Sequence, residues 1–335
     1  MKLKSLLLAA LAAFATAPAF AAEIIVTGKI AQDTTWSASN KYLLSGYVFV
    51  TGGATLTIEP GTVVAGRVSS GANAAALVIS RGSKINANGR ADRPIIFTSE
   101  LDQLNGNLTE RDVALWGGVV ILGNASINSR ANGAAAGTPA QDQVEGFSVT
   151  GADVELITFG GTNDDDNSGI FRYVSIRHGG AVIGTANEIN GLTLGGVGRG
   201  TTVEYVEVFA NKDDGFEWFG GTVNAKYLVS AFNNDDSFDF DQGYRGTLQF
   251  AFAILSDIGT DFGDKGIEWD GATSPLTATP LARNTVANAT FIGAGTTGKL
   301  SFGMNIRDSV EATLYNSVFV NFEQMLDIEN DVING

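Results

Sequence analysis

Asn211-Lys212-Asp213-Asp214-Gly215-Phe216-Glu217-Trp218-Phe219-Gly220-Gly221 returns 22 residues later as Asn233-Asn234-Asp235-Asp236-Ser237-Phe238-Asp239-Phe240-Asp241-Gln242-Gly243. A shorter third copy runs Asp264-Lys265-Gly266-Ile267-Glu268-Trp269-Asp270-Gly271. A repeat of this length signals a solenoid, in which each coil packs on the next. Every copy opens with a polar turn and continues in alternation. Phe216/Trp218, Phe238/Phe240 and Ile267/Trp269 leave one side of the chain, and Glu217, Asp239 and Glu268 leave the other. Period-two alternation marks a strand with one buried face. If the copies stack as parallel strands about 4.8 Å apart, the aromatic residues form an internal stack and the carboxylates an external column. The expectation is an acidic wall facing solvent.

The rest of the composition agrees with short strands joined by tight turns. The 335 residues include 42 glycines, with abundant Asn, Asp, Thr and Val, and few stretches favour helix. Residues 1–21 combine Lys2 and Lys4, an apolar run from Leu6 to Phe14, and Ala19-Phe20-Ala21, the three parts of a secretory signal peptide. The run is shorter than the about 20 apolar residues of a membrane helix, so no transmembrane segment is expected in the mature chain. Export leads to the periplasm, the cell surface or the extracellular space. The chain has no cysteine, which rules out a disulfide framework and a lipid-anchored bacterial N-terminus.

Without Lys2 and Lys4 the balance is 19 basic to 36 acidic residues, a net charge near −17. Thr201–Gly271 alone holds 14 of the acids and 4 bases. Phosphate contacts need a basic surface, so nucleic acid is disfavoured as a partner. Cations and neutral sugars suit this field better.

Ala22–Gly53 contains two strand-like runs, Glu23–Thr27 and Tyr42–Val50, outside the later repeat, and reads as an N-terminal cap over the first coil. Residues 54–335 then read as one continuous solenoid. Ala54-Thr55-Leu56-Thr57-Ile58-Glu59-Pro60-Gly61-Thr62-Val63-Val64 gives strand, turn and strand. Ala76–Ile79, Ser83–Ala87 and Pro94–Thr98 repeat that rhythm. Here the chain resembles the right-handed parallel β-helices of the pectate-lyase-like superfamily, and more closely the secreted bacterial β-helix repeat proteins without an assigned activity. The resemblance covers nearly all of the mature chain and implies an all-β fold, a single right-handed parallel β-helix. It implies little about activity.

Asp102–Asp112 and Ser129–Gln143 are polar and irregular and read as loops projecting from coil corners. In Gly160–Gly169, Asp164, Asp166 and Ser168 alternate ahead of Gly169, like the first half of a calcium loop. Val174-Ser175 stands where such a loop carries its bidentate Glu, and an ordinary Asp/Asn turn is the competing reading. From Gly169 six segments share one pattern, beginning at Phe171, Val203, Ala225, Leu248, Val286 and Leu314. An inward residue, a two-residue bend and a second strand account for all six. Tyr173, Tyr205, Tyr227 and Phe250 should stack along that bend. Asn211 and Asn233 are placed to form an amide ladder at another turn. The last strand-like run has no recognisable polar cap at Asp331–Gly335, so either more chain or a partner is expected to cover that end.

The carboxylates carry the chemistry. Unit charges 4.8 Å apart repel by about 3.5 kcal/mol at an effective dielectric of 20 and about 0.9 kcal/mol in water. A column must therefore spread, take up protons or bind cations, and Ca2+ suits carboxylates and carbonyls in an exported protein. The candidate ligands are Asp213, Asp214, Asp235 and Asp236, supported by Glu217, Asp239, Asp241, Asp264 and Glu268, with Asp164 and Asp166 as a separate pair. A solvated wall that maintains solubility is the alternative.

Two enzymatic readings use the same face. Lyases of the resembled superfamily pair calcium ligands with a basic residue, here Lys212 or Arg245. Hydrolases on that fold use several Asp, here Asp214 and Asp236, which neighbouring coils would bring within the roughly 5–9.5 Å that glycoside hydrolysis needs. His178, the only histidine, precedes a Gly turn and reads as a corner residue making local hydrogen bonds. Alternation puts Trp218 and Trp269 in the core, leaving Phe219 and Tyr244 as the exposed aromatic candidates. Three roles follow: an exported, non-catalytic β-helix with a calcium-stabilised face for binding a polysaccharide or cell-surface component, a polysaccharide lyase or glycoside hydrolase, and a structural spacer in an envelope assembly.

Overall fold

The computed structural model describes residues 20–129, 140–147, 149–185, 187–256, 263–272, 275–295 and 301–329. Nearly all of the signal peptide, Asp331–Gly335 and part of the Ser129–Gln143 loop fall outside them. The chain is a right-handed parallel β-helix with three faces. The first face runs through Thr34–Trp36, Thr55–Ile58 and Lys84–Asn88 and ends at Thr285–Ala287 and Thr313–Tyr315. The second contains Val63–Gly66, Ile95–Ser99, Thr290–Ile292 and Val318–Val320. Between these ends, Gly169–Arg177, Thr202–Phe209, Ala225–Ala231 and Thr247–Ile254 each span both faces. The third face stacks Ala76–Ile79, Val119–Leu122, Leu192–Gly195, Phe216–Phe219, Phe238–Asp241, Lys265–Trp269, Phe302–Ile306 and Gln324–Ile328. At the start, Ala22–Ile30 pairs in parallel with Asn40–Val50.

Chain-spanning strands bend between the first and second faces at a residue with positive φ: Tyr173, Tyr205, Tyr227 and Phe250, at 48°, 55°, 57° and 60°. The left-handed conformation turns the backbone without breaking the ladder, at a cost for residues with a Cβ. Ring stacking offsets that cost. Successive centroids are 4.4, 4.4 and 5.0 Å apart, and the planes lie within 11° of one another. The expected aromatic stack is therefore present, and it continues as an amide ladder, Asn316 Nδ2 donating to Asn288 Oδ1 at 2.6 Å.

Inside, the copies stay in register although their spacing changes from 22 to 29 residues. Phe216 pairs with Phe238 and Phe238 with Ile267; Trp218 pairs with Phe240 and Phe240 with Trp269. All six are buried, and the rings of Phe216 and Phe238 stack at 5.3 Å. The two aromatics expected outside are buried as well. Tyr244 lies in the core, its hydroxyl donating to the Val223 carbonyl at 2.7 Å. Phe219 does leave the coil outward, but it enters a second apolar layer with Phe159, Leu122 and Ile127, built by the segments after Leu122 folding over the upper third face. Alternation reports which side of a strand a residue leaves, and says nothing of what lies over that side.

Candidate metal centre

The centre forms where the turns before Phe216, Phe238 and Ile267 stack. Asp236 N–H donates to Asp214 Oδ1 at 2.8 Å, and Asp264 N–H to the Asp235 carbonyl at 3.1 Å, so each acidic turn rests on the one before. The close fit requires a small residue at position 215, because a Cβ there would lie 2.5 Å from Asn233 Nδ2. Asn211 and Asn233 do not form the expected amide ladder. The Asn211 N–H donates to Asn233 Oδ1, Asn211 Nδ2 to the Asp214 and Ile189 carbonyls, and Asn233 Nδ2 to Ser230 Oγ. Each side chain bonds within its own turn and to the preceding coil in place of a second amide.

The register then lines up Thr193, Glu217, Asp239, Glu268, Asn305 and Asp327 along the third face. Three groups of carboxylates follow, each with ligand atoms within 4.8 Å of one another: Asp213, Asp214 and Asp235; Asp214, Glu217 and Asp239; Asp235, Asp236 and Asp264. Asp214 and Asp235 each belong to two groups. The column is not the solvated wall that alternation suggested. Glu217 is 6% exposed and Glu268 8%, with Asp239 between them half-buried. Asn190, itself buried, donates its amide to Glu217 Oε2 from above.

Burial governs the titration. It raises Asp213 to about 7, with Asp235, Glu188 and Glu145 adding repulsion, and raises Asp241 to about 6 and Asp270 to about 8. Burial and mutual repulsion hold Asp214, Glu217 and Asp239 well above the ordinary range; Asp236 also stays high, although Lys265 opposes the shift. Glu268 is the exception. Burial would raise it, but a hydrogen bond with Asp236 and the charges of Lys265 and Arg307 bring it below its usual value.

Lys265 stands in the third copy where Asp214 and Asp236 stand in the first two. Its Nζ lies 3.1, 3.4 and 3.3 Å from Asp236, Asp264 and Glu268. Arg307 reaches Glu268 at 3.2 Å and Asp270 at 3.0 Å. The group containing Asp236 and Asp264 thus holds a cation supplied by the chain. Among the described residues no ion pair reaches Asp214, Glu217 or Asp239, and Lys212 is turned to Glu188 at 3.2 Å. Several buried oxygens accept no hydrogen bond: Asp236 Oδ1, Asp239 Oδ1, Asn211 Oδ1 and Asn190 Oδ1. Carboxylate oxygens are the donors a hard divalent ion such as Ca2+ takes, so the group of Asp214, Glu217 and Asp239 fits one.

The remaining candidates have other partners. Asp164 accepts from Ser126 N–H at 3.0 Å, Ser126 Oγ at 2.7 Å and Arg245 Nη2 at 3.1 Å, and Asp166 accepts from Asn124 Nδ2 at 3.1 Å. They fasten the turn to the segment Asn124–Ser126, and among the described residues neither belongs to a carboxylate group able to share an ion. Arg245 is committed to Asp164 and Ser126 and Lys212 to Glu188, so neither proposed lyase base faces the column unpaired. His178 sits at a corner with Nδ1 2.7 Å from the Asp112 carbonyl.

Sequence reasoning missed Lys265, Arg307, Asp270, Glu188 and Asn190. Aligning the third copy on the first two would have found Lys265. Arg307 lies 37 residues past Asp270 and enters only through the stacking of the next coil.

No curated protein and no solved structure matches the chain. A family model described as a pectate-lyase-like β-helix domain matches residues 28–334, and with its three-faced parallel coil the chain belongs to that family.

Proposed function

We propose that this is an exported, non-catalytic β-helix whose buried acidic face binds Ca2+ and is used for binding or attachment at a cell surface or outside the cell. The observation that carries the reading is the group of Asp214, Glu217 and Asp239, whose ligand atoms lie within 4.8 Å of one another, beside the buried Asp239 Oδ1, which accepts no hydrogen bond. A divalent ion there would displace protons from carboxyls that burial keeps neutral, and would join two coils. The pairing of Lys212 and Arg245 with other acids favours a non-catalytic role over a lyase.

The test is thermal unfolding in chelator, Ca2+, Mg2+ and matched monovalent salt. An ion bound only by the folded state stabilises by about 2.7 kcal/mol at 100 times its dissociation constant. Ca2+ should raise the melting temperature more than Mg2+, which demands tight octahedral geometry and gives up water reluctantly. Equal melts in all four conditions would refute the metal centre. Calcium-dependent release of unsaturated ends from a uronic-acid polymer, abolished by Lys212→Ala, would instead support the lyase.

A further inference from the structure

The aromatic stack at the bend between the first and second faces stands at the surface. Tyr227 is 39% exposed, Phe250 is exposed as well, and Tyr173 and Tyr205 are half-buried. Strand pairing holds both flanks of the bend. Arg172, Glu204, Lys226 and Gln249 align on one side of it, and Val174, Val206, Leu228 and Ala251 on the other. Each tyrosine is thereby fixed over its neighbour. The rings of Tyr173 and Tyr205, and those of Tyr205 and Tyr227, lie 4.4 Å apart with their planes within 11°.

Phe250 extends the stack at 5.0 Å without a hydroxyl, so stacking does not require the phenols. What the three tyrosines add is redox chemistry. A phenol yields an electron and its proton to a one-electron oxidant far more readily than a phenylalanine ring does, and two phenoxyl radicals couple through the carbons ortho to their oxygens. Parallel rings in contact set those carbons of one tyrosine over those of the next. The Arg172 guanidinium stands 5.3 Å from the Tyr173 ring centre and 5.4 Å from that of Tyr205, and its charge opposes the loss of an electron there. Tyr227 is the more exposed and, among the described residues, has no cation over its ring, so oxidation begins with it. Tyr205 covers one side of that ring and Phe250 the other, which leaves Tyr205 as its coupling partner.

We propose that Tyr205 and Tyr227 form a modification site, joined into an intramolecular dityrosine by hydrogen peroxide acting through a haem peroxidase. The peroxide takes one electron and one proton from each phenol and becomes two waters. A C–C bond forms between one ortho carbon of each ring. The hydrogens at those carbons leave as protons and the two oxygens take up protons, so both hydroxyls are restored and the protein ends two hydrogen atoms lighter. The chain has no cysteine, so no disulfide can join adjacent coils. This link joins them at an exposed corner, and closing the segment between residues 205 and 227 restricts the unfolded chain as a disulfide does.

The experiment treats the dilute, folded chain with hydrogen peroxide and a haem peroxidase, isolates the monomer and maps its peptides by mass spectrometry. The monomer should be two hydrogen atoms lighter, show dityrosine fluorescence and yield a peptide pair joined through Tyr205 and Tyr227, equally in calcium and in chelator. It should also unfold at a higher denaturant concentration than untreated protein. Tyr205→Phe keeps a ring in the stack, as Phe250 does, but leaves no two tyrosines adjacent, and the link should be lost from its monomer. Tyr315 is 62% exposed but pairs with Ala287, so Tyr315→Phe should leave the link unchanged. The proposal is overturned if the monomer carries no link under conditions in which free N-acetyltyrosinamide couples. A link that persists in Tyr205→Phe, or an equal yield from protein unfolded in denaturant beforehand, would also overturn it. Calcium independence keeps this test separate from that of the metal centre.

Discussion

Lys265 places its ammonium 3.1 Å from Asp236 Oδ2, at the rank of the column that Asp214 occupies two coils earlier. The relationship shows how the helix tolerates stacked acids: one coil supplies a cation from its own sequence. Burial opposes a charge on Lys265, but Asp236, Glu268 and Asp264 outweigh it and keep the amine firmly protonated.

Replacing Lys265 by Met should therefore destabilise the calcium-free protein by about 3–5 kcal/mol, the usual result of leaving buried charges uncompensated. Denaturant unfolding in chelator measures this loss. Added Ca2+ should recover part of it by occupying the Asp235, Asp236 and Asp264 group. A loss below 1 kcal/mol would mean that the network contributes little.

The raised carboxyls set a pH dependence in the calcium-free state. Their folded values lie above the ordinary carboxylate range, so the folded chain binds more protons than the unfolded one, and stability falls as pH rises. The decline should begin near pH 4 and run through the values of about 6, 7 and 8 for Asp241, Asp213 and Asp270. Melting temperatures between pH 4 and 9 test it, and saturating Ca2+ should flatten the slope. Stability that rises over this range in chelator would contradict the burial of the column.

Asp213→Asn combined with Asp235→Asn removes two charges from the first group while keeping amide oxygens in place. The calcium increment in melting temperature should fall to what the Asp214, Glu217 and Asp239 group contributes. In chelator the double variant should melt at or slightly above the wild type, because repulsion is relieved.

Phe238 is completely buried between Phe216 and Ile267. Phe238→Ala should cost about 3–5 kcal/mol, the range for an aromatic ring removed from a packed core. Chemical denaturation at constant calcium is the measurement, and a cost below 1 kcal/mol would count against continuous stacking.

Much of this protein was legible before any coordinates. Two copies of a turn and strand 22 residues apart determined the parallel stacking, the register of Phe216 on Phe238, and the approach of Asp213 and Asp214 to Asp235 and Asp236, because strand pairing at fixed period is a local, repeating rule. The stacked bend of Tyr173, Tyr205, Tyr227 and Phe250 followed from the same rule.

Only the tertiary structure decided what covers each face. Phe219 and Glu217 both leave the coil outward, yet Phe219 meets Phe159, contributed by a segment outside the repeat, while Glu217 accepts from Asn190 of the preceding coil. The partners of Arg245 and Lys212, and the arrival of Arg307 at Glu268, depend on the same nonperiodic folding of loops and later coils. That covering turns an expected solvated wall into a buried set of oxygens, since a carboxylate's proton and cation affinity are set by the water removed from around it.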